Sequence, residues 1–187
     1  MSPEVTSPHL SFSLLEAGLS RLSGLPKDAG RLTLIVRRRP DGSRETPQSV
    51  HLTPEEGLGD DSWNRRLPRD LEMQLAVMRR DVAELIAHGQ PLTTFGDNLF
   101  VDLDISAASL PIGSRLRVGG AVVEVTPMPH NGCSKFKARF GADALRFVNA
   151  APTRPQNLRG IYWKVIAAGE AGVGAAIQVL SRPGGTP

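Results

Sequence analysis

The sequence has very little cysteine: Cys133 is the only one among 187 residues. Because a single thiol cannot close an internal disulfide, the fold has to be stabilised by its hydrophobic core. A lone thiol is also vulnerable in an oxidising compartment, so we expect a cytoplasmic protein. With no disulfide to form, Cys133 is either a small buried hydrophobic residue or a reactive group.

Long hydrophobic runs are missing as well. No stretch of about 18 apolar residues occurs, as a membrane-spanning helix would require, and residues 1–19 lack the basic and apolar segments of a signal peptide. We therefore expect no membrane as a partner. Aromatic residues make up only 5% of the chain, which instead contains 15 prolines and 19 glycines. This composition favours many turns and a β-rich or α+β domain over a helical bundle.

Apolar periodicity predicts short strands and one clear helix. The apolar residues of 70–89 recur at helical spacing, so we predict an amphipathic helix there with Asp70 as its N-cap. A turn at residues 40–43 separates two apolar stretches, which predicts a β-hairpin of residues 31–38 and 45–52. Further strands are predicted at 98–103, within 110–126, at 160–169 and at 176–180, and short helices within 10–22 and 143–148.

Acidic residues are nearly absent around the cysteine. From Met128 to Lys164 the chain has seven Lys or Arg residues and one acid, a net charge of about +6, whereas the whole chain carries only +3. Cations, and the free backbone amides of the turn-forming segment 129–133, favour a thiolate over a thiol. An ordinary thiol with a pKa of about 8.5 is only a few per cent ionised at neutral pH. A pKa lowered by about two units would make the thiolate the main form.

Residues that hold metals are also scarce. A closed zinc site needs four Cys or His ligands, but this chain has one cysteine and four scattered histidines. His130 lies close enough in sequence to share a site with Cys133, so it is a candidate cofactor-binding residue. Two side chains do not hold a metal without further ligands.

The basic segment KFKARF, residues 135–140, interleaves cations with aromatic rings, a pattern found in proteins that bind single-stranded nucleic acid. The same alternation describes a half-exposed strand with Phe136 turned to the core. A net charge of +3 is low for a nucleic-acid-binding domain. We therefore expect no nucleic acid as a partner.

Four segments occur in a set order around the cysteine: FGDNLFVDLDIS (95–106), LPIGSRLRVGGAVVEVT (110–126), PHNGCSKFKARFG (129–141) and LRGIYWKVIAAGEAGVG (158–174). Together with EEGLGDD (55–61), they resemble the MOSC domain family, named for the C-terminal domain of molybdenum-cofactor sulfurases. The resemblance divides the chain into an N-terminal helical extension (1–30), a MOSC-like domain (31–180) and a loose tail (181–187).

The resemblance implies a mainly β (α+β) fold, a closed, mostly antiparallel β-barrel of complex topology with a few peripheral helices. In this family the cysteine is proposed to carry sulfur as a persulfide or to ligate molybdenum in a pterin cofactor, and Cys133 matches it. Gly96, Asp97 and Asn98 match a Gly-Glu/Asp-Asn segment of the family, and Arg159 matches an arginine before a late strand. These residues become candidates for cofactor binding.

Residue chemistry agrees with such a site. Arg139 or Arg159 offers a fork of donors to the phosphate of a pterin cofactor, with Lys135 as a point charge. Asp60 and Asn98 offer acceptors and donors to a polar heterocycle. The alternative roles are structural: turn capping for the aspartates and a clamp for Arg159. Pyridoxal phosphate belongs to relatives that are fused to a desulfurase, and we do not expect this chain alone to bind it.

Two classes of function remain open from sequence. The first is a molybdenum-cofactor-associated protein that either reduces N-hydroxylated compounds or relays sulfur, with a cysteine desulfurase or a redox protein as partner. The second is a non-catalytic module that binds a small molecule on the same barrel. The sequence does not decide between an enzyme and a binding module, because fold alone does not fix function.

Overall fold

Strands outnumber helices in the computed structural model, which describes residues 9–65 and 67–184. The α-helices of these residues are α1 (Phe12–Leu19), α2 (Arg80–Ala87) and α3 (Ser134–Asn149). The strands are β1 (Ala29–Ile35), β2 (Arg37–Arg38), β3 (Arg44–Glu45), β4 (Ser49–Thr53), β5 (Gly57–Leu58), β6 (Leu75–Arg79), β7 (Leu99–Asp102), β8 (Arg115–Val118), β9 (Ala121–Val125), β10 (Ile161–Ala167), β11 (Gly169–Gly172) and β12 (Ala176–Ser181). Short 3-10 helices lie at Ser62–Arg65, Leu71–Met73, Leu92–Thr94 and Ala151–Gln156.

Seven of the strands close a barrel in the order β1-β12-β8-β9-β10-β6-β7, and β7 pairs back to β1. Every neighbouring pair is antiparallel except β6 and β7, which run parallel. Alternate side chains point inward and fill the barrel, with Trp163 as the largest of them. The closed, mostly antiparallel barrel with peripheral helices is therefore confirmed, and closure leaves the barrel without an open edge.

A second hydrophobic core joins the helices to the outside of the barrel. Five buried phenylalanines form its centre, and the rings of Phe95 and Phe140 stack with centroids 4.2 Å apart. Helix α1 adds Leu15, which is fully buried. Because this core holds α3 against the barrel, it fixes the position of the turn that precedes α3. The five rings are Phe95, Phe100, Phe136, Phe140 and Phe147.

Helix α3 is broken at Gly141, whose φ of 91° lies outside the helical range. A side chain at this position would be strained at that φ, and its Cβ would approach His9 Nδ1 to 3.1 Å. The alternation of residues 135–140 therefore describes a helix and not a strand. Phe136 and Phe140 lie four residues apart, so a helix puts both rings on one buried face.

The helix predicted over residues 70–89 is only partly correct. Asp70 does cap a helix, since its side chain accepts from the Glu72 amide, but this is the single 3-10 turn Leu71–Met73. Strand β6 follows, and α2 begins only at Arg80. Residues 75–78 of β6 are buried on both faces, between the barrel interior and the helices. A strand of this kind is apolar throughout, so its periodicity does not distinguish it from a helix.

The hairpin predicted around residues 40–43 exists only at its tip. There β2 pairs with β3, whereas β1 pairs with β7 and β12, and β4 pairs with β11 and β5 in a separate sheet. The two longer strands diverge because β1 is needed to close the barrel. The strands predicted after residue 98 are confirmed, including the turn at Gly119–Gly120 between β8 and β9.

The predicted division at residue 30 stays a prediction, although α1 packs on α2 and α3. Residues 1–8 of the predicted extension and 185–187 of the predicted tail lie outside the described residues. Among the helices of the described ranges, none has the length and apolar character to cross a bilayer.

Asn98 ties three segments together beside β7. Its backbone N–H donates to the Ala76 carbonyl at 2.8 Å, and its Oδ1 accepts from the Ala76 amide at 3.2 Å. Its Nδ2 donates to the Val36 carbonyl at 3.3 Å, and its own carbonyl accepts from the Val36 amide at 2.7 Å. The side chain is completely buried. Asn98 therefore acts as a structural bridge between β6, β7 and the end of β1.

We predict that Asn98→Ala lowers the free energy of unfolding by about 2–4 kcal/mol, because it leaves a buried amide and a buried carbonyl without their side-chain partner. Urea denaturation followed by circular dichroism would measure the change. Asn131→Ala is the matched control, since Asn131 is exposed and its truncation should stay within about 0.5 kcal/mol of wild type. Equal stabilities for the two variants would contradict the bridging role.

Candidate functional site

Cys133 lies where the turn after β9 meets α3. It is the N-cap residue of α3, with extended backbone angles, and its side chain is exposed. Three other segments converge on it: β2 with Arg38, the loop before β7 with Gly96, and the residue pair before β10 with Arg159. Residues far apart in sequence therefore meet around one thiol.

Two adjoining cavities share Cys133 as part of their walls. The large cavity has a volume of about 520 Å³ and the small cavity about 170 Å³. Arg38, Gly96, Cys133 and Arg159 line both of them. The large cavity is completed by Trp63, Pro68, Arg69, Asp70, Met73, Ala76, Pro129, His130, Asn131 and Tyr162, and the small one by Arg44, Lys135, Phe136, Arg139 and Phe140.

Arg159 is held by a buried ion pair. Its Nη1 donates to both oxygens of Asp97, at 2.9 and 2.7 Å, and Asp97 has no solvent exposure. The guanidinium also lies 5.1 Å from the centre of the Phe136 ring. Burial raises the pKa of Asp97, while the charge and hydrogen bonds of Arg159 act in the opposite direction. A buried pair of this kind fixes the arginine at the junction of the two cavities.

A second ion pair fixes Arg38. Its Nε contacts both oxygens of Asp61 at 3.1 Å, and its Nη2 donates to Asp61 Oδ2 at 2.6 Å. Its Nη1 donates to the Gly96 carbonyl at 3.1 Å. Burial acts to raise the pKa of Asp61, but the hydrogen bonds and charge of Arg38 outweigh it and hold that pKa below its usual value. The Asp61 carboxylate therefore stays ionised and keeps Arg38 in place.

His130 is a buried neutral imidazole in the wall of the large cavity. Its ring lies against Tyr162, with centroids 4.3 Å apart. Burial lowers the pKa of His130 well below its usual value, and the charges of Arg159 and Arg38 lower it further. Its Nδ1 finds no hydrogen-bond partner among the described residues. The structure thus places His130 in the wall of the same cavity as Cys133.

Cys133 has a thiol that ionises more readily than usual. The backbone N–H of Phe136 is the main cause of its lowered pKa; partial burial opposes this, and the amide and charge of Lys135 and the charge of Arg159 add to it. No capping hydrogen bond to sulfur is formed, so the interaction is electrostatic. The thiolate is favoured by amides at the start of α3 and by nearby cations.

The small cavity is strongly cationic. Among the described residues that line it, every charged one is a Lys or Arg. Burial lowers the pKa of Arg44, and the like charges of Arg139 and Arg38 lower it further. Such crowding of positive charge in a half-enclosed space attracts anions. The charged lining residues are Arg38, Arg44, Lys135, Arg139 and Arg159.

Most of the predicted site residues therefore meet in space. Cys133, Gly96, His130 and Arg159 line the large cavity, and Lys135 and Arg139 line the small one. Asp97 lies beneath Arg159 with no exposure, so it positions that arginine and does not face either cavity.

Two of the predicted cofactor-binding residues lie elsewhere in the structure. Asp60 is exposed, has a φ of 62° and does not line the cavities, whereas the adjacent Asp61 carries the buried contact. The Asn98 side chain is engaged in backbone bridging and is not free for a ligand. Sequence alone does not separate these cases, because side chains that form hydrogen bonds stabilise a fold as readily as they bind a ligand.

Several residues of the site were missed from sequence. Arg38 is the second of three consecutive arginines, and the alternation of side chains along a strand does not show which of them faces inward. Trp63 belongs to the turn-rich segment 53–69, whose length is the one signal that could have drawn attention to it. Tyr162 was predicted to lie in a strand, but the sequence did not show on which face of the strand its side chain lies. Their contributions depend on tertiary contacts.

Protein side chains alone do not form a metal centre here. Within residues 9–65 and 67–184, no group of three or more His, Cys, Asp or Glu side chains is arranged to hold a metal ion. Cys133 would be a single soft ligand, so further ligands would have to come from a bound group.

The chain belongs to the MOSC domain family, whose family model matches residues 42–178. This family is associated with the molybdenum cofactor, and the resemblance stated from sequence is confirmed. No curated protein matches the chain significantly in sequence.

Solved structures agree with the fold. A hypothetical protein is similar with a TM-score of 0.63 and 19% identity, covering 84% of this chain and 71% of that one. YiiM from Escherichia coli gives 0.56 and 22%, covering 81% and 70%. YuaD from Bacillus subtilis gives 0.60 and 14%, covering 81% and 95%. At these identities the likeness establishes the shared fold only.

We predict that Lys135→Gln slows alkylation of Cys133 by iodoacetamide at neutral pH by about two- to threefold, because it removes a charge that favours the thiolate. Lys137→Gln is the matched control, because Lys137 is exposed, lies two residues further along and does not line either cavity. Alkylation rates measured from about pH 6 to 10 would give the apparent pKa of each variant. Indistinguishable profiles for the two variants would show that Lys135 has no part in activating the thiol.

Proposed function

We propose that this MOSC domain protein binds a molybdenum–pterin cofactor in its large cavity, with Cys133 Sγ as the protein's ligand to the metal. The observation that carries the proposal is the exposed, readily ionised thiol at the border of two cavities with cationic walls. Thiolate sulfur is a soft, anionic ligand. The scarcity of other protein ligands among the described residues is consistent with a metal that brings its remaining ligands in a cofactor.

The residues present fit such a group. A volume of about 520 Å³ falls within the usual range for a small-molecule pocket, roughly 300–1,000 Å³. Trp63, Met73 and Tyr162 would cover the faces of a planar heterocycle, and the Gly96 backbone leaves room beside it. Lys135 and Arg139 in the small cavity would hold the phosphate.

The reaction we propose is the reduction of N-hydroxylated compounds, in which the N–O bond breaks, two protons and two electrons are taken up, and the oxygen leaves as water. A bound molybdenum centre supplies the two electrons that such a reduction requires. The chain's own residues would hold the reacting partners: Cys133 would hold the metal end, and Arg38 and Arg159 would bind negative charge where the cavities meet. The electrons would come from a redox partner protein in the cytoplasm, where the free thiol stays reduced.

A sulfur-carrier role is the second candidate, and the exposure of Cys133 favours it. The Cys133 thiolate would attack the outer sulfur of a persulfide on a donor such as a cysteine desulfurase. A new S–S bond forms on Cys133, the donor's S–S bond breaks, and the donor leaves as a thiolate. The same lowered pKa that suits a metal ligand makes this attack faster at neutral pH.

We predict that protein produced in cells supplied with molybdate carries molybdenum and pterin, and that Cys133→Ser loses most of the molybdenum. Elemental analysis and the fluorescence of oxidised pterin would measure both. Lys137→Gln serves as the control, since its side chain does not line either cavity. Wild-type protein with neither molybdenum nor pterin would contradict cofactor binding. Intact-mass analysis of the same samples separates the second candidate, because a persulfide adds about 32 Da to Cys133.

A further inference from the structure

His130 occupies an unusual position in the wall of the large cavity. Its side chain is only 7% exposed, and its Nδ1 has no hydrogen-bond partner among the described residues. The nearest carboxylate oxygen is Asp97 Oδ1 at 3.6 Å, which is too long for a hydrogen bond. A buried polar atom without a partner is costly, so its presence beside a cavity indicates a state in which the partner is acquired.

Arg159 donates a hydrogen bond to Asp97 Oδ1, the carboxylate oxygen that lies nearest to His130 Nδ1. Asp97 Oδ1 accepts from Arg159 Nη1 at 2.9 Å. All hydrogen bonds that Arg159 makes within the described residues come from this one nitrogen, and its buried Nε is without a partner. The guanidinium also lines both cavities. The Arg159 guanidinium therefore binds a buried carboxylate and also borders the space in which a ligand would lie.

The charged and titratable groups around His130 come from four segments. Arg159 and Tyr162 lie before and within β10, and Arg38 comes from β2. Asp97 lies in the loop before β7, and Cys133 lines the same cavity at the start of α3. The guanidinium groups of Arg159 and Arg38 face the imidazole, and each is paired with a buried carboxylate, Asp97 and Asp61 respectively. Burial and the charges of these two arginines favour the neutral ring.

We propose that uptake of an anion by the cavities is coupled to protonation of His130. An anion that engages Arg159 and Arg38 balances the two positive charges that oppose an imidazolium. The protonated ring then donates from Nδ1 to Asp97 Oδ1 and shares the carboxylate with Arg159. The ligand class is a doubly charged oxyanion, either free or as the phosphate of a larger molecule. This inference rests on the anionic ligand assumed in the proposed function. It adds that His130 takes up one proton when that ligand binds.

The coupling fixes the sign of the pH dependence. Affinity for the anion rises as pH falls through the pKa that His130 has in the complex, by at most about tenfold per pH unit. It levels off below the pKa of the free protein. Above the pKa of the complex, no proton is taken up and His130 no longer affects affinity. By linkage, a saturating anion raises the pKa of His130 by the same factor.

Sulfate is the probe, because it stays doubly charged across the range of about pH 5 to 8. The full chain with Cys133→Ser is the background, so that the thiolate does not titrate. NMR would follow the ring proton of His130 with and without sulfate, and amide shifts would give the Kd for sulfate at each pH. His130→Gln removes the coupled proton, and His51→Gln is the control because His51 is an exposed residue of β4.

Sulfate should raise the pKa of His130, and the Kd should fall about three- to tenfold per pH unit on acidification within the coupled window. His130→Gln should flatten that profile, and His51→Gln should leave it unchanged. Sulfate binding with an unchanged His130 titration would overturn the coupling while leaving the anion site intact. No sulfate binding at any pH would overturn both the coupling and the anion site, whereas cofactor content is judged separately by the molybdenum and pterin measurements.

Discussion

The buried ion pair of Asp97 and Arg159 is the interaction on which the site depends. Desolvating two charges is costly, and the protein offsets this with two short hydrogen bonds from one guanidinium nitrogen and a phenylalanine ring beside the cation. The pair spans the loop before β7 and the residue pair before β10, two strands that are joined in the barrel through β6. Because Arg159 faces both cavities, their electrostatic character depends on how this pair is held.

Around that pair the protein concentrates positive charge, most strongly in the small cavity. Asp61 and Asp97 are each engaged by an arginine, and Asp70, which lines the large cavity, accepts a hydrogen bond from the Glu72 amide. The remaining cationic side chains line the small cavity, and the thiol of Cys133 lines it with them. A thiolate, a phosphate or a metal-bound anion meets the same favourable potential there.

The sequence predicted the strands well where short alternating segments were bounded by glycine turns, as in β8, β9 and β12, whereas the barrel itself was expected only from the family resemblance. It failed at β6, because a strand buried on both faces has no alternation to read. For the site, the order of segments around Cys133 singled out residues that the fold does bring together, among them Gly96, His130 and Arg159. It could not separate Asp60 from Asp61, since neighbouring aspartates in a turn differ only in the direction their side chains take. Arg38 and Tyr162 joined the site only through tertiary contacts.

The break in α3 at Gly141 limits how far the helix can influence the thiol. Only the residues Ser134–Phe140, about two turns, precede the break. Peptide dipoles beyond it belong to a separately directed segment and add little at the sulfur, since such effects fall off within the first turn. The acidity of Cys133 is therefore a local property of its nearest amides and cations. The second half of α3 is free to vary for packing against α1 without retuning the chemistry at the other end.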